Sequence, residues 1–232
     1  MIVGNGLMAS LFKNNDKKEI VFFASGVSNS SQTNPNAFER ERNLILKTIN
    51  EHSEKLLIYF STCSIYDSSK NNSPYVLHKL KMEELISTQA KKYIIYRISN
   101  VVGKGGSPYL LINYLIKALK ENSTVEIHKK ATRNLVDAED VRSIVLDSIA
   151  NTSLHNKIIN LAYPLNFSVP EIIEIIENYY QKKFNSHFVE KGSGYEINIP
   201  EIAYCFLPSE KLDKKKYLKK ILDKYYTVLY EK

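Results

Sequence analysis

At 232 residues the chain has room for one α/β domain or a domain with a small appendage, and 44% hydrophobic content is enough for a core. The +7 formal charge is carried almost wholly by lysines interleaved with Asp and Glu, the pattern of a solvated surface rather than of a nucleic-acid groove. No apolar run reaches the ~18–20 residues of a membrane span, and Cys63, Cys205 and the histidines show neither a disulfide framework nor metal-ligand spacing. The chain opens on Ile2-Val3, a strand start with no charged leader, so no signal peptide is expected and a cytoplasmic setting fits. Gly4-Asn5-Gly6-Leu7-Met8-Ala9 follows, a G-x-G-x-x-A turn that permits close backbone approach to a pyrophosphate, with helix to about Lys13. A second apolar run, Ile20 to Ala24, ends in Ser25-Gly26-Val27-Ser28.

Residues 28–37 read as a polar loop, and a helix is expected over about 38–52, burying Leu44, Ile45, Thr48 and Ile49 and leaving Arg40 and Arg42 to solvent, with a phosphate contact as the minor alternative. Leu56 to Phe60 reads as a buried strand running into the hydroxyl-rich turn Ser61-Thr62-Cys63-Ser64, with Cys63 a small buried thiol. A helix over about 75–89, expected to bury Val76, Leu80 and Leu85, carries Tyr75 and Lys79 on one face. Further strands are expected at Tyr93–Arg97, Val125–His128, Lys157–Leu161 and 186–189, with helices at about 108–120 and 141–150. Asp140 reads as the cap of the second of these helices, and Ser168 with Glu171 as a capping box for another. A Gly-Ser-Gly loop precedes a basic amphipathic helix from about Ser209, with Leu212, Leu218, Ile221, Leu222, Tyr225 and Leu229 as its packing face.

A cation near a phenol favours the phenolate, which gives Tyr75 a route to proton transfer, and a hydroxyl at a strand end can bind the same substrate oxygen. The set Thr62…Tyr75-x-x-x-Lys79 resembles that of the extended short-chain dehydrogenase/reductases, the NAD-dependent epimerase/dehydratase group acting on nucleotide sugars. Arg97-Ile98-Ser99-Asn100-Val101-Val102-Gly103-Lys104-Gly105 resembles that family's L-R-x-x-N-V-Y-G-P-G, with Val102 and Lys104 in place of the more usual Tyr and Pro. Arg133-Asn134-Leu135-Val136-Asp137 resembles its R-D-F-I-H-V-D-D. Two departures stand out. Only ten residues separate Ala9 from Ile20, which leaves no room for the usual second and third strands, and no Asp or Glu stands in 20–38, about 20 residues after the glycines, to hold an adenine ribose. Tyr75 also follows Thr62 by 13 residues, about half the family's spacing.

The resemblance implies an α/β fold with a Rossmann-type parallel sheet, shortened by two strands, so that the first strand becomes an edge. It implies a dinucleotide-binding core over 1–103 and a substrate-binding part over 104–232 that interleaves with core elements. The cofactor, NAD or NADP, would lie against Gly4, Asn5, Gly6, Leu7, Met8, Ala24, Ser25, Gly26, Phe60, Ser61, Tyr75, Lys79, Ile98 and Ser99. Tyr75 would be the proton donor, Lys79 the holder of the nicotinamide ribose and Thr62 the carbonyl ligand, with Cys63, Asn100 and Arg133 on the nucleotide-sugar substrate and no metal. Reduction of a keto group on a nucleotide sugar is the expected activity. A nucleotide-sugar epimerase or dehydrogenase is the runner-up, and a non-catalytic binding relative the rival from another class. A homodimer held partly through the helices at 38–52 and 75–89 is also expected.

Overall fold

The computed structural model describes residues 1–15, 17–206 and 212–227. In chain order the elements are β1 (Ile2–Val3), α1 (Leu7–Phe12), β2 (Ile20–Phe23), α2 (Pro35–Glu51), β3 (Leu56–Thr62), α3 (Pro74–Gln89) and β4 (Tyr93–Ile98). Then come β5 (Asn100–Val102), α4 (Leu111–Glu121), β6 (Val125–His128), β7 (Thr132–Arg133), β8 (Leu135–Asp137) and α5 (Ala138–Ala150). The last are β9 (Lys157–Leu161), β10 (Phe167–Ser168), α6 (Val169–Tyr180), β11 (Ser186–Val189) and α7 (Lys214–Tyr225). Met1–Ile98 with Glu139–Leu161 form one unit, and Ser99–Ala138 with Ala162–Lys232 the other, against an expected cut at residue 103.

The first unit is a five-stranded parallel sheet in the order β1-β2-β3-β4-β9. Helices cover both of its faces, which is why all of β2 and β3 is buried and their sequences do not alternate. On one face Phe12 of α1 stacks on Phe22 at 4.5 Å and Phe60 at 5.6 Å. Burying a Phe of this kind contributes roughly 1.5–3 kcal/mol. The opposite face, through Val21, Phe23, Leu57 and Tyr59, packs on Ile45 and Ile49 of α2 and Met82 and Ile86 of α3. Successive strand residues point to opposite faces, so α1 lies on one side of the sheet and α2 and α3 on the other. The chain nevertheless steps in one direction along the sheet from β1 to β4. The β1–α1–β2 crossover therefore has the opposite hand to β2–α2–β3 and β3–α3–β4, whereas parallel crossovers are almost all of one hand. The odd connection is the one from which two strands are missing, and β1 is left as the sheet edge.

Local rules explain the helix starts. Asn34 caps α2 by accepting from the Asn36 amide, and Pro35 takes the first helical position, so the helix begins three residues earlier than the polar composition of 28–37 suggests. Ser73 and Pro74 do the same for α3. The buried stripe of α3 differs from the expected one: Leu80 is 37% exposed, while Tyr75, Val76, His78, Lys79, Met82, Glu83 and Ile86 face inward. Asp140 lies inside the first turn of α5 rather than capping it, because the helix already starts at Ala138.

Among the described residues the second unit has three two-stranded pairs, β5–β8 and β6–β11 parallel and β7–β10 antiparallel. Its core includes an aromatic cluster in which Tyr163 stacks on Tyr217 of α7 at 4.1 Å and on Phe167 at 5.8 Å. Ser168 and Glu171 form the expected capping box of α6. The C-terminal helix starts at Lys214 with Asp213 as its cap; Ser209 and Leu229 lie outside the described residues. Leu218, Ile221 and Leu222 are buried there, while Leu212, before the helix, is exposed.

Candidate functional site

Carboxyl ends of parallel strands, where backbone groups leave the ladder, are where α/β sheets present chemistry. At the end of β1, Gly4 adopts φ +126°, and a Cβ there would lie 2.5 Å from the Ala24 carbonyl oxygen, so only glycine lets this turn pass over the end of β2. Gly6 precedes α1 with nothing within 4 Å of where its Cβ would stand. Gly6 thus keeps an open backbone face, flanked by Asn5, Leu7 and Met8.

At the end of β3, the Thr62 hydroxyl accepts from the Ser64 amide at 3.0 Å and caps a 3-10 turn over Cys63–Tyr66. The Thr62 hydroxyl proton has no acceptor among the described residues. Ile65 of that turn packs with Val27, Ala37 and Phe38 around Tyr75 and Val76. Tyr75 is 7% exposed, and its hydroxyl makes no hydrogen bond among the described residues. The 13-residue connection thus brings the Thr62 turn and the Tyr75 ring into one cluster. Cys63 is turned away from solvent, its thiol donating to the Arg97 carbonyl at 3.0 Å, and burial pushes its pKa up to about 12.

Lys79 is where the structure departs most from expectation. Its side chain is 2% exposed and its ammonium has three protein acceptors: Glu41 Oε1 at 3.0 Å, the Tyr59 hydroxyl at 3.1 Å and the Phe60 carbonyl at 3.4 Å. Glu41, fully buried, also accepts from the Val27 amide at 2.6 Å, the Tyr59 hydroxyl at 2.7 Å and His78 Nε2 at 2.9 Å. Burial alone would push the Glu41 carboxyl up; the Lys79 charge and the His78, Val27 and Tyr59 hydrogen bonds outweigh it and bring the pKa down to about 2. Burial, then the Glu41 charge, holds Tyr59 well above the ordinary phenol value. Gly26 makes room for this network, since a Cβ there would sit 2.7 Å from Lys79 Nζ and 2.8 Å from Glu41 Oε1.

A second ionic node lies on the same face of the sheet, where α3 covers β3 and β4. Glu83 of α3 accepts from Ser61 Oγ at 2.5 Å and from Arg97 Nη2 at 2.6 Å, and Arg97 Nη1 reaches the Tyr66 hydroxyl at 3.3 Å. Neither Glu41 nor Glu83 was among the expected site residues. The signal was present, however: Glu41 sits four residues before Ile45 and Glu83 three before Ile86, acids placed on otherwise apolar helical stripes.

In the second unit, the Asn100 side chain donates to the Asn134 carbonyl at 2.8 Å, and Arg133 Nη1 donates to the Thr132 carbonyl at 2.7 Å. The Ser99 hydroxyl is a buried polar atom without a partner among the described residues. Asn134, unanticipated from sequence, is 2% exposed and grips the Tyr163 backbone through both its amide atoms. Among the described residues no three His, Cys, Asp or Glu side chains gather as for a metal, and no helix is long and apolar enough to cross a membrane.

A family model described as "NAD dependent epimerase/dehydratase family" matches residues 3–162. No curated protein matches the sequence. Among solved structures, the chain is similar to the UDP-glucose 4-epimerase of Thermus thermophilus in complex with NAD, at TM-score 0.73 and 14% identity over 96% of this chain and 81% of that one. It is also similar to the UDP-glucuronic acid 4-epimerase of Bacillus cereus with UDP-glucuronic acid and NAD, at TM-score 0.69 and 17% identity over 94% and 79%. RMD from Pseudomonas aeruginosa, complexed with NADPH, matches at TM-score 0.60 and 17% identity over 84% and 78%.

Proposed function

Because the chain belongs to the NAD-dependent epimerase/dehydratase family, we propose that it is an enzyme that binds a nicotinamide dinucleotide and inverts a carbinol centre of a nucleotide sugar. The observation that carries this reading is the Tyr75 hydroxyl, without a hydrogen-bond partner among the described residues and in one cluster with the turn capped by Thr62. The residues fit a dinucleotide: Gly4 permits the tight turn and the open face of Gly6 suits a pyrophosphate. When bound, the dinucleotide supplies a hydride acceptor and donor. Tyr75 would take the proton of a sugar hydroxyl and return it, and the uncommitted proton of Thr62 would orient the same oxygen. Asn100 and Arg133 are proposed as contacts to the nucleotide sugar, Arg133 to its phosphates.

Lys79 fits a different role from the expected one. With three protein acceptors, Glu41 among them, it acts in this reading as a strut that seats α3, and hence Tyr75, on β3. Epimerisation is preferred to net reduction because UDP-sugar 4-epimerases are among the structures the chain is similar to. Keto reduction is the second reading, favoured by the match to an NADPH complex. Incubation with UDP-sugars and NAD, followed by chromatography of the sugars, tests the choice. Interconversion of epimers without net change in nicotinamide absorbance supports the epimerase. Consumption of NAD(P)H with a keto sugar transfers the assignment to a reductase, and dinucleotide binding without conversion of any sugar would leave a binding protein.

A further inference from the structure

We propose that Arg40 of α2 ligates a phosphate of the dinucleotide, an inference that rests on the reading of the Gly4–Gly6 turn as the dinucleotide's seat. Arg40 Nη2 donates to the Ser25 carbonyl at 2.8 Å and Nη1 to the Ser25 hydroxyl at 3.2 Å. Ser25 also borders the glycine turn, which passes over the Ala24–Ser25 peptide: the Ser25 amide lies 3.0 Å from where a Gly4 Cβ would stand. One residue therefore ties the guanidinium to the turn at the carboxyl ends of β1 and β2, where α/β sheets take phosphate groups.

Arg40 pairs with no carboxylate among the described residues, and residues 20–38 contain no Asp or Glu. Of its neighbours on α2, Glu39 contacts Arg42 at 3.5 Å, and Glu41 is buried against Lys79 and His78. A guanidinium has five N–H groups, and the two bonds to Ser25 leave others directed to solvent. Held at two points, the side chain is oriented before a ligand arrives, which limits the entropy lost on binding. The position also answers a deficit. Strands that would carry an adenosine pocket are missing, together with the acid that would hold the ribose, so affinity must come from the phosphates that remain in reach. The phosphate could be that of the pyrophosphate or the 2′-phosphate of NADP, and the two sources predict different patterns.

The test is calorimetric titration of the full-length parent, Arg40→Ala and Arg40→Lys with NAD and with NADP, each at low and high salt. Thermal melts verify that the surface substitutions leave the fold intact. The expected result is a loss of about ten- to a hundredfold in Arg40→Ala, the size of one charge-assisted phosphate contact, shrinking at high salt and only partly restored by Lys. Equal losses for both dinucleotides assign the pyrophosphate; a loss confined to NADP assigns the 2′-phosphate. Unchanged affinity for both in Arg40→Ala overturns the proposal while leaving the glycine turn as the seat. Failure of the parent to bind either dinucleotide overturns the seat itself and this inference with it.

Discussion

Glu41 is a carboxylate removed from water and surrounded by donors, so breaking its pair with Lys79 leaves a buried charge unmatched. Glu41→Gln is expected to lower unfolding free energy by about 3–5 kcal/mol in denaturant titrations. The pH dependence has a definite direction. The folded pKa is depressed from 4.5 to about 2, so this stabilisation is complete above the unfolded value and is lost as pH falls from 4.5 toward 2. The gap between parent and Glu41→Gln should therefore narrow in acid; a gap constant from neutral pH to pH 2 would show that Glu41 titrates normally. Tyr75 behaves in the opposite way. Its hydroxyl makes no hydrogen bond among the described residues, so Tyr75→Phe should melt like the parent while turnover falls by about 10²–10⁴-fold. Parental turnover in that variant would remove Tyr75 from the chemistry.

At the scale of elements, α3 shows why apolar periodicity was a partial guide. It places Val76 correctly but chooses Leu80, because the true inner face is filled by Lys79 and Glu83, residues that periodicity reads as solvated. Their burial is possible only because α2 and β4 bring Glu41 and Arg97 to meet them. Gly26 belongs to the same unit. Gly26→Ala places a methyl against Lys79 and Glu41 and should cost about 1–3 kcal/mol. Combined with Glu41→Gln, the effects should be less than additive, since both act on one contact; strict additivity in a double-mutant cycle would uncouple them. Leu77 and Leu80, 44% and 37% exposed on the outer side of α3, are the surface that a homodimer through α2 and α3 would cover. If that proposed dimer forms, Leu80→Glu should shift sedimentation from dimer to monomer, and an unchanged species distribution would exclude this face.

Over the whole molecule, the sheet is a Rossmann-type one with a two-residue strand at its edge. The Met1 amine donates to the Ile20 carbonyl at 2.8 Å and so extends the pairing of this strand with β2. Losing two strands leaves a β1–α1–β2 connection of unusual hand, yet Phe12 still stacks on Phe22 and Phe60. Dinucleotide binding should accordingly survive the shortening. At a hundredfold excess over Kd, NAD or NADP should stabilise the protein by about 2.7 kcal/mol, read as a rise in melting temperature. No rise at any concentration would mean that the glycine turn is a relic.

The spacing of glycines after an apolar pair, the ten-residue gap from Ala9 to Ile20, the hydroxyl-rich end of the third strand and Tyr75 four residues before Lys79 were enough to determine the fold class, the missing strands and the family. Those features are local, written within a few residues of backbone whose geometry they dictate. Sequence could not tell whether Lys79 faces a cofactor or a carboxylate, because that depends on Glu41, 38 residues away, and on the absence of a side chain at Gly26. The same holds for Arg40, whose composition suggests a solvated helix face until Ser25 holds it at the lip of the turn. A charge buried or aimed by partners distant in the chain has a local pattern identical to one in water, and only the packing of α2 against the sheet distinguishes them.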